Sequence, residues 1–198
     1  MPKLDIDRRD FFRLEDQIHL IKQPIERHMI TDDPYSAAFR IPKQALLISQ
    51  LRTIEGETQS FISQINETNR ALGTYLTALD QKLECLARYI ISDAKGDDLM
   101  QKESVNLSEG GVSFYSDHPY PEDSFLHLTM VLFPSYASLA AISQVKTVQL
   151  LDQQPTLYRI GSEFVSLLEA DRKQLSRHIR RKQSMELRER NQKNEQNE

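Results

Sequence analysis

The rhythm of apolar and polar positions changes twice along the chain and divides it into three regions. Between residues 14 and 25 (Leu-Glu-Asp-Gln-Ile-His-Leu-Ile-Lys-Gln-Pro-Ile), Ile18 and Leu20 alternate with polar neighbours until Pro24 closes the run. That is the period-two pattern of a strand. No proline then occurs between Pro42 and Pro119, and apolar residues recur at three- and four-residue steps, which predicts helix. Leu47, Leu51, Ile54, Thr58, Phe61, Ile65, Thr68 and Leu72 alternate steps of four and three, as a heptad seam does. After two consecutive steps of four, Leu76, Leu79, Leu83, Leu86 and Ile90 resume the alternation, the mark of a stutter.

One helix over residues 43–92 would be about 75 Å long at 1.5 Å per residue. Its own domain cannot cover such a stripe, so a second copy of the chain is the expected partner, giving a homo-oligomer (dimer to tetramer) through residues 43–92. The alternative is a helical hairpin folded back near Gly73, where glycine costs a helix about 1 kcal/mol and the phase slips. Thr58 and Thr68 weaken the seam and leave the oligomer number open.

From Ser104 onward the texture turns to short runs rich in β-branched and aromatic residues. Segments 112–115, 125–133, 141–150 and 156–165 are separated by turn-prone stretches such as Asp-His-Pro-Tyr-Pro and Asp-Gln-Gln-Pro. Several short antiparallel strands of this kind predict a barrel. In 125–133, Leu126, Leu128, Met130 and Leu132 form the expected core face, opposite His127, Thr129, Val131 and Phe133. Glu169-Ala170-Asp171 begins a final helix with Leu175 and Ile179 on one side, and the last dozen residues are too polar to pack.

A chain of 198 residues, 39% apolar, can bury one core with length left over for an extension. Its longest apolar runs fall well short of the roughly 20 residues a bilayer crossing requires, so no membrane insertion is expected. The opening Met-Pro-Lys-Leu-Asp-Ile-Asp-Arg-Arg puts charge where a secretory signal has its apolar core, which predicts a cytoplasmic protein. The single cysteine, Cys85, has no internal disulfide partner and reads as an ordinary helix residue. With 25 Lys plus Arg against 29 Asp plus Glu, the net charge of −4 opposes a nucleic-acid footprint. An anionic ligand must therefore be met by a local cluster.

The five histidines lack metal-ligand spacing, and neither a GxxxxGK[ST] phosphate loop nor a Gly-x-Ser-x-Gly elbow occurs. No enzyme activity, metal or cofactor is expected. Arg180-Arg181-Lys182 could approach an anionic ligand from the last helix, but the favoured reading is a solvated helix end.

Two short motifs remain. Arg8-Arg9-Asp-Phe-Phe-Arg13 lies just ahead of the first strand, and Asn106-Leu-Ser108-Glu-Gly110-Gly111 lies before another. Taken alone, the first is a solvated arm and the second a tight turn. Together, and followed by Tyr158-Arg-Ile-Gly161-Ser-Glu-Phe164-Val and a last helix, they resemble the PilZ domain family. There an Arg-x-x-x-Arg arm precedes the barrel and an Asp/Asn-x-Ser-x-x-Gly turn lies on its surface. Arg9 and Arg13 match the arm; Asn106, Ser108 and Gly111 match the turn.

The resemblance covers roughly residues 7–25 and 103–182. It implies an α+β fold: an antiparallel six-stranded β-barrel with a long inserted coiled-coil helix and a C-terminal helix. The organisation expected is 1–35 arm and first strand, 36–102 helical insertion, 103–182 remaining barrel and last helix, and 183–198 polar tail. The resemblance also implies a receptor for the second messenger cyclic di-GMP, with Arg8, Arg9, Arg13, Asn106, Ser108, Gly110 and Gly111 at the ligand and a downstream protein partner. Arg8 adds the expectation of a stacked ligand pair.

The chemistry suits that ligand. Cyclic di-GMP presents two phosphates and two guanines, and arginine offers a charge, a bidentate fork and a stacking face to match. Asn106 complements a guanine edge, Ser108 adds a hydrogen bond, and Gly111 is expected to let the ligand approach the backbone. The alternative reading is a ligand-independent oligomeric scaffold that docks a protein partner.

Overall fold

The computed structural model describes residues 13–92, 101–151 and 155–195. The alternation near the start becomes β1 (Leu14–Ile25), with Leu14, Asp16, Ile18 and Leu20 turned inward. Five further strands follow: β2 (Glu103–Ser108), β3 (Gly111–Ser116), β4 (Phe125–Leu132), β5 (Ala137–Leu151) and β6 (Leu157–Leu167). They close an antiparallel barrel in the order β1-β2-β3-β6-β5-β4. The expected α+β class and six-stranded barrel are therefore observed.

β1 is long enough to serve two neighbours. Its first residues, Leu14 to Ile18, pair with β2, and Ile18 to Ile25 pair with β4. The insertion thus leaves the end of β1 and returns into an adjacent strand. Inside, Ile18, Leu107, Phe114, Leu128 and Leu139 form the core. A last helix, α3 (Glu169–Glu195), lays Leu175 and Ile179 into that same core, and each such burial is worth roughly 1.5–3 kcal/mol. The helix runs past residue 182 to Glu195, so the described part of the expected polar tail is helical, with Ser184 to Arg188 exposed.

The single long helix expected over 43–92 is instead two: α1 (Lys43–Thr68) and α2 (Arg70–Ser92). Between them Asn69 leaves the helical region at φ −144°, ψ 90°. Its N–H still donates to the Ile65 carbonyl at 2.7 Å, while its Oδ1 accepts from the Leu72 N–H at 3.1 Å and caps α2. The helices fold back on each other, so that Ile48 and Leu51 near one end share a groove with Leu83 and Ala87 near the other. A Cβ on Gly73 would lie 1.9 Å from Asn66 Oδ1 and 3.0 Å from its Cα, so glycine lets the helices close beside the bend.

Chain reach explains the hairpin. Ile48 packs on Val131 and Phe133 of the barrel, which anchors the start of α1. A straight rod would then end about 66 Å away at residue 92, whereas residues 93–102 span at most about 35 Å back to β2.

Folding back does not cover the heptad stripe. Leu51, Ile65 and Leu76 are half-buried, but Ile54, Phe61, Leu79, Leu83 and Leu86 remain exposed. The insertion also buries the outer face of β4, where a single core face was expected. Val131 and Phe133 lie under Ile48, and His127 stacks on Phe39 at 4.3 Å and donates from Nε2 to the Pro34 carbonyl at 2.8 Å. Among the described residues, no helix is long and apolar enough to cross a membrane.

Candidate ligand site

Strand pairing brings the residues that follow Arg13 beside the second motif. Leu14 lies opposite Leu107 and Glu15 opposite Asn106. Arg13, which is exposed, immediately precedes β1, and one further step of the same register would set it opposite Ser108. The 93 positions separating Arg13 from Asn106 are thereby reduced to neighbouring strands. Arg8 and Arg9 lie outside the described residues.

Asn106 and Ser108 belong to β2 itself, and Glu109 and Gly110 form the two-residue connection to β3. Asn106 Nδ2 donates to Glu15 Oε1 at 2.6 Å, while Asn106 Oδ1 is buried with no partner among the described residues. An amide acceptor left in that state is costly unless something donates to it. Ser108 Oγ donates to the Gly111 carbonyl at 3.2 Å. The Gly110 carbonyl accepts from the Phe164 N–H at 2.8 Å, and the Glu109 carbonyl from Arg172 Nη1 at 3.2 Å.

Gly111 has a reason within the barrel beside the one expected. A Cβ there would lie 2.1 Å from the Ser162 carbonyl oxygen, so the close approach that demands glycine is that of β6.

Helix α3 is clamped against the start of β1 by a buried ion-pair cluster. Asp16 Oδ2 lies 2.5 Å from His178 Nε2, and Asp16 Oδ1 accepts from Lys182 Nζ at 2.6 Å. Burial pushes the Asp16 pKa up, but hydrogen bonds from His178, Lys182 and the Gln17 N–H outweigh it and hold the carboxyl below its ordinary value. Sequence reasoning missed this cluster, although a carboxylate among Leu14, Ile18 and Leu20 on the inward face of a strand was the available signal.

A second buried network joins α3 to the insertion. Tyr35 Oη donates to Asp171 Oδ2 at 2.7 Å and accepts from Ser49 Oγ of α1 at 2.9 Å and from the Ala140 N–H at 3.2 Å. Burial raises the Asp171 pKa to about 6 against the hydrogen bonds from Tyr35 and Ala140, and burial with the charge of Asp171 raises Tyr35. Among the described residues, no group of three or more His, Cys, Asp or Glu is placed to hold a metal.

Barrel, strand-end amide and clamped helix together describe a domain that presents its polar motif beside its last helix. The sequence pattern of the PilZ domain matches residues 80–181, half of the chain, and the chain belongs to the PilZ domain family. Domains of this family are binding and receptor domains. No curated protein matches the chain. A solved structure similar to it is a pathogenic protein from Xanthomonas campestris, described as a new tetrameric PilZ domain self-assembled via an unusual helical bundle. The two are 17% identical over 90% of this chain and 91% of that one, with a TM-score of 0.55, a likeness of fold.

Proposed function

We propose that the chain is a cytoplasmic cyclic di-GMP receptor in which the arginine arm closes over the ligand on the barrel surface at β2. The observation that carries this reading is the β1–β2 register: Leu14 lies opposite Leu107 and Glu15 opposite Asn106, and one residue more of the same pairing would put Arg13 opposite Ser108. Arg13, with Arg9 and Arg8 ahead of it, would pair with phosphate or with the O6/N7 edge of guanine. Asn106 Oδ1, without a partner among the described residues, would accept from a guanine N–H once the side chain turns toward the ligand. Assembly through the exposed stripe of the α1–α2 hairpin follows from its uncovered Phe61, Leu79, Leu83 and Leu86, and the tetrameric relative offers a parallel. Ligand-driven closure of the arm is the signal a downstream protein would read.

A second reading, a ligand-independent scaffold, is favoured by one contact: Glu15 already holds the Asn106 amide. Thermal unfolding separates the two. Cyclic di-GMP at about 100 times its Kd should stabilise the chain by about 2.7 kcal/mol, whereas GMP at the same concentration should not. No shift at saturating cyclic di-GMP leaves the scaffold reading.

A further inference from the structure

The cations of α3 have no assigned role in the arm-and-turn picture, yet they border it. An open cleft of about 530 Å³ runs between the β2–β3 connection and the first half of α3. Arg172, Ser176 and Arg180 line it at successive helical turns, with Arg177 and Lys173 beside them and Glu109 and Glu169 on the rim. Lys173 pairs with Glu169 at 3.9 Å. Among the described residues, no carboxylate lies within ion-pair distance of Arg172, Arg177 or Arg180. Their hydrogen bonds go to carbonyls: Arg172 Nη1 to Glu109 at 3.2 Å, and Arg180 Nε to Ser176 at 3.2 Å. In a chain of net charge −4, four cations against two carboxylates in one cleft is a marked local surplus.

The cleft is beside the motif. Arg172 touches Glu109, the residue after Ser108, while His178 and Lys182 touch Asp16, three residues after Arg13. Both ends of the strand pairing next to Arg13, Glu109 beyond β2 and Asp16 in β1, thus contact α3. The Asp16 clamp fixes the helix, so the backbone that carries these arginines is in place before any ligand arrives.

We propose that Arg177 and Arg180 of α3, with Arg172 at the turn, form a further wall of the site and take a phosphodiester of the bound cyclic dinucleotide. This rests on the receptor reading above. Such a ligand carries two phosphodiesters, and within the turn motif Asn106, Ser108, Gly110 and Gly111 offer no positive charge. In the receptor reading the arm takes one phosphate; the second needs cations from elsewhere, and the guanidinium forks lining this cleft are suited to it.

Titration calorimetry of the full chain with cyclic di-GMP tests this, using Arg177→Ala/Arg180→Ala, Arg177→Lys/Arg180→Lys, Arg13→Ala and, as a control farther along the same helix, Arg188→Ala. Arg177, Arg180 and Arg188 are all exposed, so the thermal midpoints of these variants should stay at the native value. The alanine pair should weaken binding by about tenfold or more, the lysine pair should recover part of it, and Arg188→Ala should match the native chain. Inorganic phosphate at equal ionic strength should give no saturable heat.

Native-like affinity in the alanine pair while Arg13→Ala loses binding overturns the α3 wall and leaves the receptor reading intact. Loss in the alanine pair with Arg13→Ala unaffected keeps the wall and removes the arm. Saturable phosphate binding makes the cleft a general anion site and overturns the proposal. Absence of cyclic di-GMP binding by the native chain overturns both readings.

Discussion

Asp16 on the first barrel strand and His178 on the last helix lie 2.5 Å apart, with side chains 1% and 5% exposed. Removing one partner of a buried pair strands the other, which costs about 3–5 kcal/mol. Asp16→Asn should therefore lower stability to urea by that order at neutral pH and loosen α3. Because the folded-state pKa of Asp16 is depressed, its contribution is present above the unfolded value and is lost as pH falls through the folded value. Urea midpoints across the acid range check this: the native chain should lose stability below about pH 4, and the variant should lack that component.

Asp171 has the opposite sign. Its folded pKa of about 6 lies above the ordinary carboxylate value, so the folded state binds more protons between about pH 4 and 6. Its contribution favours the fold on the acid side of that window and is lost as pH rises through about 6, by roughly 3 kcal/mol. Asp171→Asn should flatten this slope, read from urea midpoints at pH 4.5 and 7, while its Oδ1 can still accept from Tyr35.

Gly111→Ala should destabilise the barrel, because the new methyl meets the Ser162 carbonyl oxygen of β6, which is backbone and cannot swing aside. Overpacking of this kind costs about 1–3 kcal/mol. A thermal midpoint equal to that of the native chain would show that β6 yields instead.

Leu79 is 42% exposed on the hairpin, within the uncovered heptad stripe. If that stripe is the contact between copies, light scattering should show a multimer for the native chain and a smaller species for Leu79→Asp, with unchanged helicity. A native monomer would exclude assembly through this face.

The strands were legible where one face met water and the other met the core, as along Leu14 to Leu20. β4 was also legible as a strand, but not the burial of its second face: Val131 and Phe133 lie under Ile48, a contact between segments more than 80 positions apart that no local period records. The heptad count was sound as a pattern, yet the same stripe fits a rod or a hairpin. What decides between them is the anchoring of Ile48 and the short return to β2, and both are tertiary facts. Glycine at 111 was visible, but the crowding that requires it comes from Ser162 on β6. Arg180-Arg181-Lys182 read first as a solvated helix end, and Arg172 drew no reading at all, because nothing in sequence places it against Glu109.

Titration calorimetry of the full chain with cyclic di-GMP, native beside Arg13→Ala, tests the central claim most directly. Arg13 is exposed, so the substitution should leave folding intact. The account predicts saturable binding by the native chain and its loss in the variant. Equal heats from the two would contradict it, since the strand register would then bring Arg13 to Ser108 without any ligand between them.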